Sequence, residues 1–120
     1  MGISNYKQNR KREIKDKPSK YYSVKTEIDG IVFDSKKEAN RYGELKLLER
    51  AGEISNLRLQ VPYILFPKNE YGREIKYLAD FVYIENGKEI VEDTKGKKTR
   101  IYNLKKRIMA EKYGILIKES

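Results

Sequence analysis

The sequence contains no cysteine and no histidine. The lack of cysteine excludes disulfides, thiolate zinc sites, iron–sulfur clusters and thiol nucleophiles. The lack of histidine excludes Ser-His-Asp triads, histidine-ligated metals and any histidine general base. Any catalysis by this chain must therefore use carboxylates, amines, hydroxyls or a metal ion bound through oxygen atoms.

Long hydrophobic runs are also missing. The longest apolar stretch lies around residues 63–66, far short of the roughly 20 residues that a membrane-spanning helix needs. The N-terminal residues are charged where a secretory signal requires an apolar run. From these features we expect a soluble, cytoplasmic protein.

Acidic residues are in the minority, with 18 of them against 27 basic residues and a net charge of +9. Such an excess favours a polyanionic partner, either nucleic acid or an anionic membrane surface. A length of 120 residues predicts one domain. Residues 1–20 are rich in basic and poor in apolar side chains, so we interpret 1–20 as a flexible basic arm and 21–120 as the folded domain.

Two local signals predict the first ordered elements. The dipeptide Asp29-Gly30 favours a type I′ turn and predicts a hairpin over 23–33. Ser35 and Glu38 have the spacing of a capping box, and apolar residues at helical spacing follow as far as Gly52. We therefore predict a helix over 35–51.

Strand patterns fill the centre of the chain. Residues 54–66 are typical of a strand that Pro62 should bend or end. Residues 74–84 and 88–95 flank Asn86-Gly87, which is a strong two-residue hairpin signal.

The last part of the chain predicts a second helix from about Thr99 to Gly114 and a short strand over 115–118. We expect the apolar face of this helix to hold Leu104, Ile108 and Tyr113. The predicted fold class is α/β (α+β), with the order helix, three strands, helix, strand after the hairpin.

Two aspartates are predicted to meet across the central hairpin. Pairing residues outward from Asn86-Gly87 places Asp80 opposite Asp93, with Lys95 on the same face. Opposed carboxylates repel each other, whereas Mg²⁺ binds such oxygen atoms readily, and an adjacent lysine can orient or deprotonate a metal-bound water. The alternative, left open, is a solvated face on which Lys95 neutralises the pair, because a register error of one residue would separate the aspartates.

A basic run follows this pair without an acidic residue between positions 95 and 107. Beside two carboxylates, such a run suits a phosphodiester backbone better than a small acid. Its members are Lys95, Lys97, Lys98, Arg100, Lys105, Lys106 and Arg107.

Asp80, a spacer of 12 residues and Asp93-Thr94-Lys95 resemble the signature of the PD-(D/E)XK nuclease superfamily. The predicted element order also resembles the restriction-endonuclease-like αβββαβ core of that superfamily, a mixed sheet flanked by two helices. The segments 29–38, 52–54 and 59–60 are similar to a small group of phage and prophage proteins that carry a domain label of unknown function.

The resemblance implies an endonuclease that cuts DNA with Mg²⁺, or Mn²⁺ as a substitute, in the cytoplasm of a host cell. Asp80, Asp93 and the Thr94 carbonyl would bind the metal, and Lys95 would be the catalytic lysine. Glu38 would be a further metal ligand, although the capping box alone also explains it. Branched DNA as substrate and a homodimer follow by analogy only. Lys97, Lys98, Arg100, Lys105 and Lys106 would bind DNA.

One departure from the signature is that Ala79 stands where the superfamily name has proline. Two other functions stay open on the sequence alone. One is a non-catalytic basic DNA-binding or packaging accessory that keeps the fold without the chemistry. The other is an RNA-binding protein, for which basic charge and small size suffice.

Overall fold

The computed structural model describes residues 25–94 and 98–120, so the predicted arm over 1–20 lies outside the described residues. Over these described residues the chain is a mixed α/β protein, with two helices, a four-stranded sheet and a separate two-stranded hairpin. This confirms the predicted class. In chain order the elements are β1 (Thr26–Ile28), β2 (Ile31–Phe33), α1 (Lys36–Arg50), β3 (Ser55–Phe66), β4 (Ile75–Glu85), β5 (Lys88–Asp93), α2 (Arg100–Tyr113) and β6 (Lys118–Glu119).

The small hairpin forms where its turn signal predicted it. Asp29 and Gly30 have φ angles of 55° and 76°, the left-handed values that a type I′ turn requires. Strands β1 and β2 pair antiparallel on either side. The Tyr42 hydroxyl donates to Asp29 Oδ2 at 3.1 Å, which ties this turn to helix α1.

Helix α1 confirms the predicted N-cap at Ser35. Ser35 precedes the helix in an extended conformation, and its hydroxyl accepts a hydrogen bond from Glu38 N at 3.1 Å. At the other end Gly52 has φ 82°, a left-handed conformation that glycine adopts without steric penalty. The first turn of α1, which carries Glu38, is therefore fixed by its own sequence.

The main sheet has the order β3-β4-β5-β6. The first two pairings are antiparallel and the pairing of β5 with β6 is parallel. Asn86 and Gly87 form the tight turn with φ 53° and 76°. The register outward from this turn pairs Glu85 with Lys88 and Val82 with Val91, as predicted.

The expectation that Pro62 would bend or end its strand was wrong. Strand β3 runs without a break from Ser55 to Phe66, and Pro62 lies opposite Leu78. Among the described strands β3 lies at the edge of the sheet, where a residue without an N–H group does not disrupt a second ladder.

The ends of α2 were predicted correctly, and so was Ile108, which packs partly buried against the core, but the rest of its predicted buried face was not. Thr99 Oγ1 accepts a hydrogen bond from Tyr102 N at 3.0 Å, and Gly114 ends the helix with φ 67°. Tyr102 and Met109 are buried, whereas Leu104 and Tyr113 are exposed. The short strand that follows is Lys118–Glu119, three residues later than the start predicted for it.

The sheet lies between two hydrophobic clusters, one under each helix. Adjacent residues of β4 contribute to different clusters, because strand side chains alternate between the two faces. The α1 cluster comprises Phe33, Ala39, Tyr42, Leu45, Ile54, Phe81 and Tyr83. The α2 cluster comprises Leu65, Tyr77, Ala79, Val82, Val91, Tyr102, Met109 and Ile117.

The alternation along β4 breaks at Asp80. Tyr77 and Ala79 belong to the α2 cluster, yet Phe81, two residues further along, belongs to the α1 cluster. A regular strand would keep Ala79 and Phe81 on one face. Neither described helix is long and apolar enough to cross a membrane.

Two nearby leucines of α1 test the position of the core. Leu45 is fully buried, whereas Leu47 is 63% exposed. We expect Leu45→Ala to lower the free energy of unfolding by about 2–5 kcal/mol, and Leu47→Ala to change it by less than about 0.5 kcal/mol. Urea denaturation followed by circular dichroism measures both. Equal effects of the two substitutions would contradict the described packing of α1.

Candidate functional site

Asp80 lies at the break in the alternation of β4, and its carboxylate is bound by the end of β5. Its Oδ2 atom accepts hydrogen bonds from Thr94 N at 2.9 Å and from Thr94 Oγ1 at 3.1 Å. The ladder between β4 and β5 stops at the pair of Phe81 and Glu92, one step before Asp80 and Asp93 would pair. The Asp80 carboxylate therefore accepts a hydrogen bond from a main-chain N–H just beyond the point where the antiparallel ladder ends.

A glutamine joins Asp80 to helix α1. Gln60 Nε2 donates to Glu38 Oε2 at 3.0 Å and to Asp80 Oδ1 at 3.4 Å. Glu38 is buried in the first turn of α1, whereas Gln60 is exposed on β3. The two carboxylates thus lie within hydrogen-bond distance of one nitrogen atom.

Asp93 is fully buried at the end of β5. Its Oδ2 atom accepts a hydrogen bond from the Tyr77 hydroxyl at 2.6 Å. Burial and this hydrogen bond raise the pKa of Tyr77 above its ordinary value. The charges of Asp80 and Asp93 both raise the pKa of Tyr77 and that of Tyr102, so the two carboxylates share one neighbourhood although their hydrogen-bond partners differ.

A buried ion pair beside these residues was not predicted from the sequence. Arg41 on α1 binds both carboxylate oxygens of Glu92, with Nη2 at 3.1 Å from Oε1, and the Tyr83 hydroxyl donates to the same Oε1. Burial alone would raise the pKa of Glu92, but the hydrogen bonds from Arg41 and Tyr83 outweigh it and lower the pKa. The sequence did offer one signal. Glu92 lies two residues after Ile90 and therefore on the same face of β5, toward α1, where a buried acid requires a hydrogen-bond donor.

Two of the four described residues of the predicted DNA-binding set form ion pairs with Glu119. Lys98 and Lys106 lie 3.2 and 3.1 Å from the carboxylate oxygens of Glu119. The Tyr102 hydroxyl hydrogen-bonds the same carboxylate and, with the two lysines, lowers the pKa of Glu119 to about 2. Arg100 is exposed and Lys105 is half-buried on α2. Lys95 and Lys97 lie outside the described residues.

The oxygen atoms of the site are those that hard divalent cations prefer. Within residues 25–94 and 98–120, no three acidic side chains come close enough together to hold a metal ion. Two acidic groups, Glu38 and Asp80, are connected through one atom, because Gln60 Nε2 donates a hydrogen bond to each of them. Asp93 and Thr94 lie at the adjoining strand end.

Fold and site together define a small mixed α/β protein with hydrogen-bonded carboxylates around the end of strand β5. Residues 18–118 match the family described as Protein of unknown function (DUF1064). The chain therefore belongs to this family. No curated protein and no solved structure matches it.

The Arg41–Glu92 pair gives a stability test. We expect Arg41→Ala to lower the free energy of unfolding at pH 7 by about 3–5 kcal/mol, because the buried Glu92 carboxylate loses its cation. The exposed Arg50 in the last turn of the same helix is the control, and its alanine variant should lose less than about 1 kcal/mol.

The pH dependence of this difference has a definite sign. In the wild type the pKa of Glu92 is lower in the folded state than in the unfolded state. Glu92 therefore stabilises the fold at pH values above its unfolded-state pKa, and this stabilisation is lost as the pH falls. Without Arg41, burial raises the pKa of Glu92, so acid favours the folded variant. The difference in free energy of unfolding between the wild type and Arg41→Ala should therefore become smaller as the pH is lowered from 7 to 4, as measured by urea titrations. A constant difference would contradict the assignment.

Proposed function

We propose that this chain is a metal-dependent endonuclease that hydrolyses DNA phosphodiester bonds with Mg²⁺, for which Mn²⁺ can substitute. The observation that carries the proposal is the convergence of Glu38 Oε2 and Asp80 Oδ1 on one Gln60 nitrogen, at 3.0 and 3.4 Å. Two carboxylates held this closely create a negative potential that favours a cation.

The residues present fit Mg²⁺. This ion commonly uses one or two protein carboxylates and fills its other positions with water and substrate phosphate. Glu38 and Asp80 meet that requirement, and Asp93 and the Thr94 carbonyl follow at the end of β5. When bound, Mg²⁺ lowers the pKa of water and stabilises negative charge on the phosphate.

Each of these residues has a separate task in the proposed reaction. Thr94 N and Oγ1 hold the Asp80 carboxylate in one orientation, and the Tyr77 hydroxyl holds Asp93. To Lys95, which lies outside the described residues, we assign the role of general base, in which its Nζ atom, as the neutral amine, would accept a proton from the attacking water. This assignment follows from its place two residues after Asp93 and from the resemblance to PD-(D/E)XK nucleases.

The element order supports a restriction-endonuclease-like core. Helix α1, strands β3 to β5, helix α2 and strand β6 follow one another in that order, and the helices cover opposite faces of a mixed sheet. In the proposed core Asp80 belongs to β4, and Asp93 ends β5. Branched DNA as substrate, a homodimer that cuts both strands, and a phage or prophage origin extend the same proposal by analogy.

The catalytic proposal is tested by Asp80→Asn. This variant keeps the size of the side chain but removes its charge, so Mg²⁺-dependent cleavage of a plasmid or a four-way junction should fall by about 100-fold or more. DNA binding without a divalent ion should stay nearly unchanged. Asp34→Asn is the matched control, because Asp34 is an exposed aspartate that pairs with Lys25, and it should cut like the wild type.

Two results would overturn the proposal. If the wild type binds DNA but cuts no DNA with Mg²⁺ or Mn²⁺, the chain is the non-catalytic DNA-binding or packaging accessory. If it binds RNA in preference to DNA across a salt titration, the RNA-binding function replaces both.

Glu119 provides a test of the DNA-binding surface. Glu119→Gln should release Lys98 and Lys106, so that binding to duplex DNA tightens and the slope of log K against log salt steepens by up to about 2, near 0.9 for each new phosphate contact. Because the pKa of Glu119 is about 2, the effect should be the same from pH 5 to pH 8.

Glu89→Gln is the control for this experiment. It breaks an ion pair with Arg58 instead, and it removes the same charge without freeing Lys98 or Lys106. If the two variants have equal salt slopes, Lys98 and Lys106 do not contact DNA.

A further inference from the structure

Gln60 has an unusual backbone conformation for a residue within a strand. Its φ is 53°, in the left-handed region. Its neighbours Leu59 and Val61 pair with Phe81 and Ala79 in one continuous register, so no inserted residue accounts for this conformation. Left-handed residues other than glycine are strained and persist where the surroundings hold them.

The surroundings that hold Gln60 are the two carboxylates of the proposed metal site. Its Nε2 atom carries two N–H groups and donates to both Glu38 and Asp80. The positive end of the amide dipole therefore occupies the position where the two negative charges would favour a cation. The same side chain carries an oxygen with two lone pairs, Oε1, at the other end of the amide.

We propose that Gln60 is a neutral oxygen ligand of the divalent cation. In the structure its NH₂ group lies between the two carboxylates and donates to both. With the cation present, the amide turns so that Oε1 faces it. This inference rests on the proposed function, because it concerns the same site.

The composition of the site supports a ligand of this kind. Within the described residues no third acidic side chain joins Glu38 and Asp80 in a metal-binding group. A glutamine oxygen adds a donor without adding charge, and hard cations accept amide oxygens as ligands. Gln60 is also the exposed member of this group, whereas Glu38 is buried, so the amide can rotate without repacking the core.

The test measures Mn²⁺ binding to the full chain by isothermal titration calorimetry, without DNA. Gln60→Gly removes the amide and tolerates the left-handed backbone. We expect it to weaken Mn²⁺ binding by about 10–100-fold, the range found when supporting groups of metal sites are lost. Gln60→Glu supplies a charged oxygen at the same place and should tighten binding.

Asn56→Gly is the matched control. Asn56 lies on the same strand with φ 54°, so the substitution makes the same backbone change away from the carboxylates. Its Mn²⁺ affinity should equal that of the wild type, and circular dichroism should show both glycine variants folded.

The possible results separate this inference from the proposed function. If the wild type binds one Mn²⁺ and Gln60→Gly binds it equally or more tightly, Gln60 is not a ligand of the cation, so the inference fails while the endonuclease proposal stands. If the wild type and Asn56→Gly bind no Mn²⁺, both proposals fail together.

Discussion

Burial of negative charge is the constraint on which the centre of this protein depends. Four carboxylates lie around the end of β5, and an uncompensated buried carboxylate costs several kcal/mol. Each has a donor from another part of the chain. These donors fix α1, β3 and the end of β5 relative to one another, and the pairs are Glu38 with Gln60, Asp80 with Thr94, Glu92 with Arg41, and Asp93 with Tyr77.

The donors differ in charge, and this difference divides the carboxylates by role. Arg41 neutralises Glu92, so that pair holds α1 against the sheet and leaves little potential for a ligand. The groups that donate to Asp80 are an amide, a main-chain N–H and a hydroxyl. Neutral donors satisfy hydrogen bonds but leave the formal charge in place. The negative charge at Asp80 is therefore not neutralised by a cationic side chain among these donors, as the proposed metal site requires.

Local signals in the sequence predicted most of the elements, whereas the site depends on long-range contacts. Turn glycines and capping residues act within a few positions, and they placed both hairpins, both helix starts and the register beside Asn86-Gly87 correctly. The expected pair of Asp80 and Asp93 assumed unbroken alternation, but β4 changes face at Asp80. Arg41 and Glu92 are 51 residues apart, and no period of two or 3.6 predicts such a contact. Pro62 was misjudged because its position at the sheet edge is a property of the whole topology.

Ion pairing also limits what the net charge of +9 says about function. Arg41 is engaged by Glu92, and Lys98 and Lys106 share Glu119. Part of the basic excess is therefore already matched by acids that are distant in sequence. A polyanion gains affinity from a lysine only to the extent that it replaces the existing carboxylate partner or adds to it. The acidic residue that holds a lysine thus sets that lysine's contribution to the proposed DNA binding as much as the lysine does. A count of the basic residues over 98–107 therefore overstates that contribution.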